Sequence, residues 1–126
     1  MKHKILVIED NGDNLYLTTF ILEKNGYEVF QARDGREGIE LAGRIKPALI
    51  LLDIQLPEMD GYAVARELKK DPALSNIPIV AVTSYAMVGD REKIMASGCA
   101  GYIEKPINPD TFMAEVEQHL PTRDTV

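Results

Sequence analysis

Short apolar runs recur along the chain, and each ends in a chemically reactive residue. Ile5-Leu6-Val7-Ile8 stops at Glu9-Asp10, Ala48-Leu49-Ile50-Leu51-Leu52 stops at Asp53, and Ile79-Val80-Ala81-Val82 stops at Thr83-Ser84. A strand with one wet face alternates apolar and polar residues. These runs are apolar throughout, so they predict strands covered on both faces. Tyr27 to Ala32 and Ala100 to Glu104 read as two more strands. Between the strands lie segments with helical spacing: Gly12 to Asn25, Gly35 to about Ile45, Gly61 to Lys70, Val88 to Ser97 and Pro109 to about Leu120. Their ends carry stop signals. Asn25-Gly26 and Gly98 suit a left-handed cap, Lys46-Pro47 and Asp71-Pro72 cannot continue a helix, and Pro109 suits a first turn.

Strands alternating with helices require a parallel sheet with helices on both faces, which makes the fold class α/β and doubly wound. There is no internal repeat, low-complexity stretch or linker. A length of 126 residues is expected to form one domain, over residues 1–120, followed by a short tail at 121–126.

Composition narrows the function. The 14 basic and 20 acidic residues give a net charge of −6, and the longest basic run is Lys69-Lys70, so no nucleic-acid surface is expected. No apolar run approaches the roughly 20 residues of a membrane span, and Lys2-His3-Lys4 is not followed by a signal-peptide core. No membrane association and a cytoplasmic location are therefore expected. The single cysteine, Cys99, fits a reducing compartment and reads as a buried structural residue. His3 and His119 are expected to be solvent-exposed, and no Cys or His spacing suits zinc.

Ligands of an open parallel sheet bind at the carboxyl ends of its strands. Glu9, Asp10, Asp53, Thr83, Ser84 and the run Glu104-Lys105-Pro106 all stand there, whereas the second strand ends in Gln31-Ala32 and offers little. Three carboxylates repel one another unless a cation lies between them. An all-oxygen set open to water and substrate suits Mg²⁺, with Mn²⁺ possible; solvated loop acids are the bland alternative. The first strand-to-helix turn, Glu9-Asp10-Asn11-Gly12-Asp13, is no glycine-rich phosphate cradle. Asp53 ends the strand expected to be central. A carboxylate there can attack a phosphoryl group to form an aspartyl phosphate, with Lys105 and Thr83 placed to engage its oxygens. Taken singly, Lys105 also reads as a strand-end lysine paired with Glu104, and Thr83 as a β-branched strand residue.

In order, these motifs resemble the receiver domain of bacterial two-component response regulators. The match rests on Ile5 to Asn11, Leu51-Leu52-Asp53 through Asp60-Gly61, Ile79 to Ser84, and Gly101-Tyr102-Ile103-Glu104-Lys105-Pro106. The resemblance implies a flavodoxin-like, five-stranded sheet in the order 2-1-3-4-5. It implies Asp53 as phosphoacceptor, with Glu9, Asp10, Asp53 and the backbone carbonyl of Gln55 around Mg²⁺. It further implies Thr83 and Lys105 on the phosphoryl group, a cis bond before Pro106, and Tyr102 as the aromatic partner of the switch. Gln55 and Tyr85, flanking the pocket, are expected to tune water access. Glu9 departs from the commoner Asp at its position.

The implied partners are a histidine kinase or histidine phosphotransfer protein, and a downstream protein reached through the face of the fourth helix, fifth strand and fifth helix. A monomer or weak dimer is expected. The module is not expected to be an enzyme beyond its own phosphoryl transfer and slow dephosphorylation. Alternatives are a receiver cut from a hybrid kinase or larger regulator, and an aspartate-nucleophile phosphohydrolase. The latter needs an acid two residues after Asp53, where Gln55 stands. The first helix carries Leu15, Tyr16, Leu17, Phe20, Ile21 and Leu22, more apolar residues than one buried stripe uses. The outward members are expected to dock the phosphoryl donor, unless neighbouring helices cover them.

Overall fold

The computed structural model describes residues 3–120. Ten elements alternate: β1 (Lys4–Ile8), α1 (Gly12–Lys24), β2 (Glu28–Ala32), α2 (Gly35–Ile45), β3 (Leu49–Asp53), α3 (Gly61–Lys70), β4 (Ile79–Thr83), α4 (Val88–Ala96), β5 (Gly101–Glu104) and α5 (Phe112–Glu117). The strands form one parallel sheet in the order β2-β1-β3-β4-β5, as the resemblance implied. The expected tail at 121–126 lies outside the described residues.

The uninterrupted apolar runs serve two cores at once, because successive side chains of a strand point to opposite faces. Leu6, Ile8, Ile50, Leu52, Ile79 and Ala81 face α2, α3 and α4, where Ala42, Val64, Leu68 and Ile94 close the layer. Ile5, Val7, Leu49, Leu51, Val80, Val82 and Ile103 face α1 and α5, where Leu15, Leu22, Phe112 and Val116 do the same. A slip of one residue in any central strand would exchange the two sets, so packing holds the register firmly.

Three helices start with a side-chain cap, two of them within three residues of a strand end and the third after the loop that follows β3. Asn11, Asp34 and Asp60 accept from the backbone N–H groups of Asn14, Glu37 and Ala63, satisfying donors that a first turn leaves unpaired. The caps fix where β1, β2 and β3 hand over to helices, and hence where Glu9, Asp10 and Asp53 stand. Gly61 opens α3 so close to β3 that an added Cβ would lie 2.6 Å from the Ile54 Cα and 2.7 Å from the Asp53 carbonyl oxygen.

Some expectations change. The last helix begins at Phe112, not Pro109, because Asn108 folds residues 108–111 into a turn. Its side chain accepts from the Asp110 N–H, and its carbonyl accepts from Thr111 and Phe112. Beyond Glu117 the chain continues in tighter bonds, His119 to Val116 and Leu120 to Glu117. The histidines are also not fully exposed: both are half-buried, and the His119 ring lies against Gly101, where a Cβ would approach Cε1 to 2.6 Å. Cys99 is buried as expected. No helix among the described residues is long and apolar enough to cross a membrane.

Candidate functional site

Glu9 and Asp10 follow β1, Asp53 ends β3, Thr83 ends β4 and Lys105 follows β5, all at the carboxyl edge of the sheet. The model brings them together. Carboxylate oxygens of Glu9, Asp10 and Asp53 lie within 4.8 Å of one another. The Lys105 ammonium reaches Glu9 Oε1 at 3.2 Å and Asp53 Oδ1 at 3.3 Å. Glu9 and Asp53 are buried, whereas Asp10 is exposed at the mouth. Lys105 therefore pairs with Glu9 and Asp53, not with Glu104, and of the three acids only Asp10 is solvated. The Lys105-Pro106 bond is cis.

Backbone groups orient the acids. The Gln55 N–H donates to Asp53 Oδ1 at 2.9 Å, and the Asn11 N–H donates to Glu9 Oε2 at 3.2 Å. One ammonium still faces three carboxylates. Burial pushes the Glu9 carboxyl up to about 7, aided by a shared hydrogen bond with Asp53 and by its charge, while Lys105 and the Asn11 N–H pull the other way. Such a site has the oxygen donors, the excess negative charge and the open side that a hard divalent cation fits.

Thr83 is buried, and its hydroxyl is fully engaged. Oγ1 donates to the Tyr85 carbonyl at 3.1 Å and accepts from the Tyr85 N–H at 2.9 Å and from Gln55 Nε2 at 3.4 Å. The Gln55 side chain therefore bridges the loops after β3 and β4 beside Asp53. Tyr85 is 63% exposed. Tyr102 is half-buried on β5, with the Arg91 guanidinium carbon 5.5 Å from its ring centroid.

One contributor was overlooked in the sequence. Arg33, immediately after β2, donates from Nη2 to the Asp10 carbonyl at 3.0 Å and ties the second strand's end to the acidic loop. Its place one residue beyond Ala32 was the available signal. On α1, Leu15, Ile21 and Leu22 are buried, while Tyr16 and Phe20 are 72% and 52% exposed. Their rings stack with centroids 6.4 Å apart.

The model of the response regulator receiver domain matches residues 5–117. Among curated proteins, the polar-differentiation response regulator DivK of Brucella anthropi is 42% identical over 120 residues, covering 95% of this chain and 98% of DivK. Among solved structures, the chemotaxis protein CheY4 of Vibrio cholerae superposes with a TM-score of 0.91 at 26% identity, covering 95% of this chain and all of that one. The receiver domain of a sensor histidine kinase from Pseudomonas aeruginosa PAO1 superposes with a TM-score of 0.86 at 31% identity, covering 94% and 98%. That structure is described with a magnesium ion coordinated in its active-site cleft.

Proposed function

From the premise that this chain belongs to the response regulator receiver family and is a module of two-component signalling, we propose that Asp53 is its phosphoacceptor. The observation that carries this is the seating of Asp53, buried and held through Oδ1 by both the Gln55 N–H and the Lys105 ammonium. A carboxylate so fixed is presented in one orientation to an incoming phosphorus, and positioning supplies most of the catalysis in phosphoryl transfer. The Asp53 carboxylate forms the new P–O bond as the P–N bond to a donor imidazole breaks, and the electron pair leaves with the imidazole. Lys105 stays beside the acyl phosphate as a point charge.

Glu9, Asp10, Asp53 and the Gln55 carbonyl would hold a magnesium ion, with manganese as a substitute. When bound, the ion neutralises phosphoryl oxygens that these carboxylates alone would repel. The aspartate-nucleophile phosphohydrolase is disfavoured, because the Gln55 amide carries no acidic proton for a leaving group.

The switch is a shift in population. Thr83 turns its hydroxyl from Tyr85 to the phosphoryl group, and Tyr102 moves into the space released. Taking such an equilibrium from 1:99 to 99:1 requires the phosphoryl group to favour the active arrangement by about 5.5 kcal/mol. The signal leaves through the face of α4, β5 and α5 to a protein target, with residues 1–120 acting as one cytoplasmic domain, monomeric or weakly dimeric. Gln55 and Tyr85 control water access. The donor is a histidine kinase or histidine phosphotransfer protein, docking on Tyr16 and Phe20. The test is label transfer from a phosphorylated histidine donor. Transfer abolished by chelator and by Asp53→Asn supports the proposal; transfer surviving Asp53→Asn overturns it.

A further inference from the structure

Helix α4 is shallowly seated. Only Ile94 of its nine residues is buried, and Val88 and Met95 are 70% and 50% exposed. Two cationic side chains extend from it to its neighbours. Lys93 Nζ lies 4.8 Å from the ring centroid of Tyr62 on α3, and the Arg91 guanidinium carbon lies 5.5 Å from that of Tyr102 on β5. The two contacts are alike in kind, but Arg91 has a second bond. Its Nε donates to the Ala86 carbonyl at 2.8 Å, in the loop between β4 and α4.

That loop is also held by Thr83. A hydroxyl has one proton, and Thr83 gives its own to the Tyr85 carbonyl. To donate to a phosphoryl oxygen on Asp53 it must release Tyr85, whose neighbour Ala86 is the residue Arg91 holds. Arg91 thus joins the loop that Thr83 must disturb to the ring that must move with it. We propose that Arg91 is a positioning residue of the switch, clamping the Ala86 carbonyl and the Tyr102 ring together in the resting arrangement. The proposal rests on the receiver reading above. Arg91 is itself exposed, so its removal acts on the balance between arrangements and leaves the cores untouched.

The test is a titration with beryllofluoride, a phosphoryl mimic, in the presence of magnesium, followed through the backbone amides of Gly101 and Tyr102 by NMR. When the responsive arrangement is the minor one, apparent affinity scales with its population. Losing an exposed cation–π contact should therefore lower the half-saturating concentration about two- to fivefold in Arg91→Ala. Lys93→Ala, which loses a similar contact away from Thr83 and Tyr102, should titrate as wild type. Asp53→Asn should not respond. An unchanged or raised half-saturation in Arg91→Ala, or an equal shift in Lys93→Ala, overturns the role of Arg91. A wild-type chain that fails to respond overturns the receiver reading and the clamp with it.

Discussion

Glu9→Gln should make the metal-free protein more stable, and increasingly so as the pH rises. The wild-type carboxyl ionises near 4.5 in an unfolded chain and at about 7 in the folded one, chiefly because burial disfavours the charged form. Below about pH 4.5 the group is protonated in both states and nothing is lost. Between about pH 4.5 and 7 the folded state binds more protons than the unfolded one, so stability falls as pH rises. The Glu9 side chain is only 6% exposed, so solvent screening reduces the effect little. At about 1.4 kcal/mol per unit, the gap from 4.5 to about 7 is worth about 3 kcal/mol. Glutamine cannot ionise and escapes this loss. The assay is urea unfolding in chelator at pH values from about 4.5 to 8, with the difference between the two proteins plotted so that groups remote from Glu9 cancel. That difference should grow by about 3 kcal/mol in favour of Gln across the range. Millimolar magnesium should lift the wild-type curve at high pH, since a cation binds the ionised carboxylate. A difference that stays flat with pH would refute the claim that burial beside Asp53 raises the Glu9 carboxyl.

Two other substitutions test the framework and the docking surface. Gly61→Ala forces a methyl against the Ile54 Cα and the Asp53 carbonyl. It should cost about 1–3 kcal/mol in urea unfolding, and a neutral result would mean that β3 and α3 approach less closely than described. Replacing Tyr16 and Phe20 together by Ser should leave stability and uptake from acetyl phosphate unchanged, because both rings are largely exposed. Uptake from a phosphohistidine donor should fall on the order of tenfold or more; equal rates from that donor would remove α1 from the docking surface.

Much of this architecture was legible because local chemistry and long-range packing agree. Ile5 to Ile8 and Ala48 to Leu52 read as doubly covered strands, and Ile5 to Ile8 and Leu49 to Leu52 are buried in the sheet, with Ala48 half-buried just before β3. The acids and the lysine were legible as a group because a parallel sheet gathers strand ends. What escaped depends on pairs distant in sequence or on small turns. Proline suits a first turn, yet the Asn108 side chain captured the Asp110 N–H and delayed α5 to Phe112. Tyr27 read as the start of a strand; it stands just before β2, buried, with its hydroxyl donating to Glu117 at 3.1 Å. Half-burial of His119 follows from its meeting Gly101 on a strand that no local pattern pairs with it. No local pattern points to Arg33 or Arg91, because their partners, the carbonyl of Asp10 and the ring of Tyr102, are distant in sequence.

The central claim is that one carboxylate among three takes the phosphoryl group. Acetyl phosphate and magnesium would be added to the whole chain, and the product reduced with borohydride, which converts an aspartyl phosphate to homoserine. Peptide mass spectrometry then locates the residue. Homoserine at position 53 alone, absent when chelator is present, is the predicted result. Homoserine at position 10, or homoserine formed elsewhere in Asp53→Asn, would contradict it.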